Sequence, residues 1–364
     1  MLQSWLTTHS NPGELLEELR SPETVFHDHA SFDLARGIRD RHSLADKHAP
    51  AGLMGAHVHN KGEVMIEYKY MNMYMEDNRL GETTVTDQDS FALGQALGTN
   101  NGATPTQMTM EMHMMHIMYG VTDDVTVYLM PMLLSNTMDH LRNNPFPNPA
   151  VAGQPFTTHI SGFGDMQLGA LWRVWEDECR HEEIVLNLGA SVPTGQVDRK
   201  TTVPSGGVAV GEFPYPMRLG RGTFNFRPGA TYRRFLEDGS FGLQFQADLP
   251  VDENWDEYSV GEDYRVNAWY AHLLTEDLAI SYRVEGQFVD NYDGADPDVN
   301  GAVISTLRPD MRGGDFLNFG YGVMYLAPGG NLINFEVVHP VHQDVDGIQL
   351  ERDWWFAISW SKTL

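Results

Sequence analysis

The sequence predicts an all-β protein: a closed antiparallel transmembrane β-barrel of about 12 strands, with short periplasmic turns at one end and long extracellular loops at the other. Three observations predict it. From Glu63 onward, apolar and polar residues alternate with a period of two, the spacing at which successive strand side chains point to opposite faces. No window approaches the ~20 uninterrupted apolar residues of a membrane helix, and mean hydropathy is −0.35. Connections are short after every second alternating run and mostly long, with many Gly, Pro, Asn and Asp, after the others.

Composition narrows the partners. A formal net charge of −26 argues against nucleic acid, which requires a basic surface. The single cysteine, Cys179, excludes an intrachain disulfide and falls in an expected short turn. Serines, histidines and acids occur in no recognisable nucleophile motif, so an enzyme is not expected.

Residues 1–46 read as a separate N-terminal segment, partly helical or disordered. Helix is expected near Pro12 to Arg20, with Asn11 as cap, and near Ser31 to Arg41. The segment lacks the basic start and apolar core of a signal peptide, and His27 and His29 read as solvated surface. Residues 47–62 form a Gly- and His-bearing entry without helical period, and residues 63–364 form the barrel.

In the first barrel strand Val64, Ile66, Tyr68, Tyr70 and Tyr74 oppose Met65, Glu67, Lys69, Met71, Met73 and Met75. The second, Gln107 to Tyr119, sets Met108, Met110, Met112 and Met114 against Thr109, Glu111 and His113. Its methionines read as a lipid-facing row, and Thr109, Glu111 and His113 as the luminal side. A third strand starts at Val125, with Pro131 marking a bulge or strand end. Further runs lie around Met166 to Val174, Ile184 to Val192, Phe224 to Arg233, Phe241 to Leu249, Tyr264 to Tyr270, Leu278 to Phe288, Leu317 to Tyr325, Leu332 to His339 and Trp354 to Trp360. Tyr74, Tyr119, Trp175, Trp354 and Trp360 suit interfacial girdles. Backbone groups in hydrocarbon must all be paired, so such a sheet closes on itself.

The segments His48-Ala-Pro-Ala-Gly-Leu-Met-Gly-Ala-His-Val-His, Tyr68-Lys-Tyr-Met-Asn-Met, Pro105-Thr-Gln-Met-Thr-Met-Glu-Met-His-Met, Ser161-Gly-Phe-Gly-Asp, Ser191-Val-Pro-Thr-Gly and Pro214-Tyr-Pro-Met-Arg-Leu-Gly-Arg-Gly-Thr carry a resemblance. Over residues 48–364 the chain resembles the outer-membrane family labelled meta-pathway of phenol degradation, whose members are often called transporters. The resemblance implies a Gram-negative outer-membrane barrel that passes small molecules.

The functional expectation is a narrow, charged, porin-like lumen for passive passage of small molecules, lined by Glu67, Lys69, Glu111, His113, Asp165, Arg173, Arg227, Arg233, Asp248, Arg265, Arg283, Glu285 and Glu336. Its partners would be membrane lipid and a small solute, and no cofactor is required. The alternative is a protein that handles copper or another metal through His57, His59, His113 and the methionines, because imidazole and thioether suit Cu(I). His113 and His116, three apart on a strand, point to opposite faces, whereas His57 and His59 share one.

Overall fold

The structure, a computed structural model, describes residues 44–99, 102–143, 153–204 and 208–364. The expected helices near residues 12–20 and 31–41, with His27 and His29, lie outside them. Alternating runs become strands: β1 (Val64–Gly81), β2 (Thr83–Val85), β3 (Ala103–Gly120), β4 (Val125–Met130), β5 (Met132–Arg142), β6 (Pro155–Phe163), β7 (Met166–Glu176) and β8 (Glu182–Val192). A loop hairpin, β9 (Lys200–Pro204) and β10 (Val208–Glu212), precedes β11 (Asn225–Phe235), β12 (Gly239–Pro250), the short β13 (Tyr258–Ser259), β14 (Asp263–Thr275) and β15 (Leu278–Val289). After the short β16 (Asp293–Gly294) come β17 (Gly314–Ala327) and β18 (Asn331–Thr363).

The wall runs antiparallel through β1, β18, β17, β15, β14, β12, β11, β8, β7, β4 and β3, and β3 pairs back onto β1. This pairing closes the ring from β1 to β3, while among the described residues β2 and β6 are each paired on one side. β4 and β5 are two halves of one crossing along β3, interrupted at Pro131; the ladder continues because Met115 N donates to Pro131 O at 3.1 Å. β18 is two crossings. Residues 331–345 pair with β17 and residues 348–363 with β1, and the chain reverses at Gly347, whose φ is +75°. Trp360 Nε1 donates to Asn331 Oδ1 across that hairpin at 3.3 Å. With β18 counted twice, the wall has about 12 crossings among the described residues.

The connection between the last two strands, at the end where most connections are long, is a tight turn, because the flanking strands run on past the apolar stretches that announce them. The same holds for β1 and β3, each 18 residues long, or roughly 60 Å against ~30 Å of hydrocarbon. Their upper halves rise beyond the membrane on the long-loop side. One of those loops holds the helix α1 (Asp87–Ala96), capped by Thr86, whose hydroxyl accepts from Asp89 N at 3.1 Å.

Residues facing outward include Ile117, Leu129, Trp172, Leu188, Phe245, Val284, Phe319, Phe335 and Trp360, all exposed. Residues facing inward include Lys69, Glu183, Arg233, Arg283, Glu336 and Asn318, all buried. A soluble barrel has the opposite arrangement, so the outer belt is a lipid-facing surface and the protein is an outer-membrane barrel.

Candidate functional site: the barrel interior

From Leu44 the entry segment runs inside the barrel rather than beneath it. Its backbone is held from all sides. Arg233 Nη1 donates to Lys47 O (3.1 Å), Asn334 Nδ2 to Ala49 O (2.8 Å), Lys69 Nζ to Leu53 O (3.1 Å) and Gln244 Nε2 to Met54 O (3.0 Å). Gly52 N donates to Glu336 Oε2 at 2.7 Å, and His59 N to Thr126 Oγ1 at 2.8 Å. A Cβ on Gly52 would lie 2.4 Å from Glu336 Oε2 and 2.6 Å from Arg283 Nη2, so glycine is what lets the backbone come this close. Ala45 packs with Ala271, Ala279, Met324 and Leu332, and Val58 with Met65, Met118, Leu171 and Val185. The segment is a plug at the short-turn end of the lumen.

Around it the wall divides in two. On β7 through β18, Arg283 Nε meets Glu336 Oε1 at 2.8 Å and its Nη1 meets Glu285 Oε2 at 2.8 Å and Asn267 Oδ1 at 2.8 Å. Arg233 Nε donates to Glu183 Oε1 at 2.7 Å, and Arg173 Nη1 lies 3.7 Å from Glu183 Oε2. Higher up, Arg227 Nε is 3.0 Å from Asp248 Oδ2, Arg221 Nη1 2.6 Å from Asp248 Oδ1, and Arg265 Nη2 2.6 Å from Asp263 Oδ2. Although Arg265 points inward, its side chain is 42% accessible, which marks space left in the lumen. Asp165 takes Gly195 N (2.9 Å) and Arg221 N (2.7 Å), tying down the loop after β8.

The other wall, on β1, β3, β4 and β5, is methionine. Met75 pairs with Met108, Met73 with Met110, Met71 with Met112 and Met65 with Met118 across β1 and β3. Met108 also pairs with Met138 and Met114 with Met132 across β3 and β5. Met108, Met114, Met118, Met130 and Met138 are buried, while Met71, Met73, Met110, Met112 and Met132 are half-buried and border the interior space. Glu67 and Lys69 share this inward face near the plug, 3.6 Å apart.

Two expected lumen residues are therefore misplaced. Glu111 and His113 point outward, Glu111 accepting from Tyr70 Oη at 2.7 Å and His113 Nδ1 meeting Tyr68 Oη at 2.7 Å. Thr109 follows them, and the methionines expected to face lipid line the inside. The reason is the length of β3. Tyr119, Ile117 and Met115 continue the apolar belt, after which the outer face meets water above the membrane, and a polar face toward water alternates like one toward a lumen. His113 is thereby removed from any site shared with His57 and His59, which lie within the plug, ring centroids 4.9 Å apart. Burial pushes His59 down to about 4, so its imidazole is neutral at pH 7. Glu183, Asn267 and the plug contact of Gly52 were not legible, because each acts through partners distant in sequence; Asp263, two residues from its partner Arg265, lies just before the alternating run that begins at Tyr264.

At the long-loop end, Arg218 locks three loops together. Its Nη2 meets Asp296 Oδ2 at 2.5 Å and Glu212 Oε2 at 3.4 Å, its Nη1 meets Tyr258 Oη at 2.9 Å, and its guanidinium lies 4.8 Å from the ring centre of Tyr215. Burial, reinforced by the charge of Asp296, pushes Glu212 up to about 7 from 4.5. A carboxyl raised this way supports the closed loops when protonated; that support declines as pH rises from 4.5 and is lost above about 7, where Arg218, with Lys200 Nζ 3.9 Å from Glu212 Oε1, has to offset the ionised cluster. Arg218→Ala should accordingly speed proteolysis within residues 193–224 more at pH 8 than at pH 5. Equal cleavage of variant and wild type at pH 8 would show that the loops are held by other contacts.

Residues 95–350 match the model of the family described as Putative MetA-pathway of phenol degradation. The chain belongs to this family. Among solved structures it is similar to an outer membrane channel from Pseudomonas putida F1, at 12% identity and a TM-score of 0.56, covering 84% of this chain and 97% of that one. The toluene transporter TodX of Pseudomonas putida (9% identity, TM-score 0.39, 84% and 90% covered) and the KdgM porin (9%, 0.39, 82% and 98%) also match. No curated protein matches the chain. The family's outer-membrane barrel is the fold of this chain.

Proposed function

We propose that the protein is an outer-membrane channel for small solutes that carry both an apolar body and an anionic group, with residues 44–62 as its gate. The observation that carries this reading is the two-sided lumen. Half-buried methionines Met71, Met73, Met110, Met112 and Met132 offer soft, adaptable apolar contact, and Arg265 and Arg221 face the same interior with part of each side chain accessible. An amphipathic solute satisfies both walls, while a purely hydrophilic one gains nothing from the methionines.

The test is uptake into proteoliposomes of benzoate against benzyl alcohol and a sugar. The reading expects benzoate to enter fastest, and Arg265→Gln to remove most of its advantage over benzyl alcohol while the barrel still shows heat-modifiable migration. Equal influx of all three, or none, would sink it.

A further inference from the structure

One cross-strand row, toward the long-loop end of the lumen, puts two guanidiniums and an apolar wall side by side. It runs from Arg265 on β14 through Gln287 and Phe316 to Gln343, which accepts from Arg352 N at 3.0 Å on the returning half of β18. Beyond Arg352 the direct partners are Met75 and Met108. The two arginines are held differently. Arg265 Nη2 lies 2.6 Å from Asp263 Oδ2, whereas Arg352 has no carboxylate at ion-pair distance among the described residues. Arg352 Nη1 instead donates to Gln287 Oε1 at 2.8 Å, and its guanidinium lies 3.6 Å from the ring centre of Phe316. Gln287 Nε2 donates to Asp263 Oδ2 at 3.0 Å, so the Arg265–Asp263 pair fixes the amide that positions Arg352. Most N–H donors of this guanidinium remain for a ligand, and the half-buried side chain opens onto the interior that Arg265 also reaches.

We propose that Arg352 is the anion-recognising residue of the lumen, where the carboxylate of a singly charged aromatic acid docks on the open side of its guanidinium. The inference rests on the channel reading and adds to it the place of recognition and the class of anion. The ring of such a solute reaches the half-buried Met73 and Met110, cross-strand partners two residues along the same face from Met75 and Met108. Charge and shape select the anion. A planar carboxylate matches the guanidinium fork with two parallel hydrogen bonds. Asp263 and Glu285 act on Arg352 together with Arg265, and each already has its own cation, in Arg265 and Arg283. A phosphate dianion would bring a second negative charge toward those two acids.

The test reads binding, not passage, so its failure is distinct from that of the channel reading. The full chain, purified in detergent, is titrated by fluorine NMR with para-fluorobenzoate, para-fluorobenzyl alcohol and para-fluorophenyl phosphate. Wild type should bind the benzoate most tightly. Arg352→Gln should weaken that binding by roughly 10–100-fold, the worth of a hydrogen bond to a charged group, and leave the alcohol as it was. Arg352→Lys keeps the charge but not the fork, so it should restore only part of the affinity, and it decides the question should Arg352→Gln lose heat-modifiable migration. Arg234→Gln, at an exposed arginine, should bind like wild type. No benzoate binding by wild type, binding indifferent to both Arg352 variants, or tighter binding of the phosphate would overturn the proposal. Arg352-dependent binding without benzoate uptake into proteoliposomes would uphold the site and sink the channel reading.

Discussion

Arg283→Met should destabilise the barrel by about 3–5 kcal/mol, the cost typical of removing one partner from a buried ion pair. Arg283 and Glu336 are 2% and 1% exposed, and Glu285 only 10%, so the guanidinium neutralises two carboxylates with little help from water. Methionine of similar length fills the space but leaves both charges, and Glu336 also anchors the plug through Gly52 N. The variant should therefore unfold at lower urea and leak ions through a loosened plug. Adding Glu336→Leu should recover part of the stability, because the uncompensated charge rather than the lost attraction carries most of the cost, yet the leak should persist without the acceptor for Gly52. A variant that unfolds at the wild-type urea concentration would show that lumen water, not Arg283, balances these carboxylates.

Much of this arrangement was legible in the sequence, and the exceptions share a cause. Strand alternation, the short turns and the inward positions of Arg173, Arg227, Arg233, Asp248, Arg265, Arg283, Glu285 and Glu336 follow from a period of two read against apolar neighbours. The reading inverted at Glu111 and His113 because periodicity says that two faces differ, not which of them is inside. On β17, Leu317, Phe319, Tyr321 and Val323 settle the matter, since only an apolar face can meet lipid. On β3, both faces change character where the strand leaves the membrane, and methionine is apolar enough for either. The plug was recognised as an irregular entry but not as the content of the lumen, because its contacts with Glu336, Gln244 and Asn334 span more than half the chain and leave no local trace.

A chain refolded from His59 onward should form the same barrel and conduct ions several-fold better than the full chain. The wall does not need the plug for closure: β1 pairs with β3 and β18 through continuous ladders, and no described residue before Val64 belongs to them. What truncation removes is the backbone that Lys69, Arg233, Gln244 and Asn334 hold across the lumen. Those side chains lose protein partners but gain water, so the cost of each lost hydrogen bond stays near ~1 kcal/mol rather than that of a buried unpaired group. Gly52→Ala should act in the same direction and more weakly, since its added methyl pushes only one turn of the plug away from Arg283 and Glu336. Single-channel recording of all three chains orders them. If truncated and full chains conducted alike, the constriction would have to lie at the long-loop end, where Phe213, Met217 and Leu219 pack onto Met75, Met108 and Met138, and the gate would be that apolar cap instead.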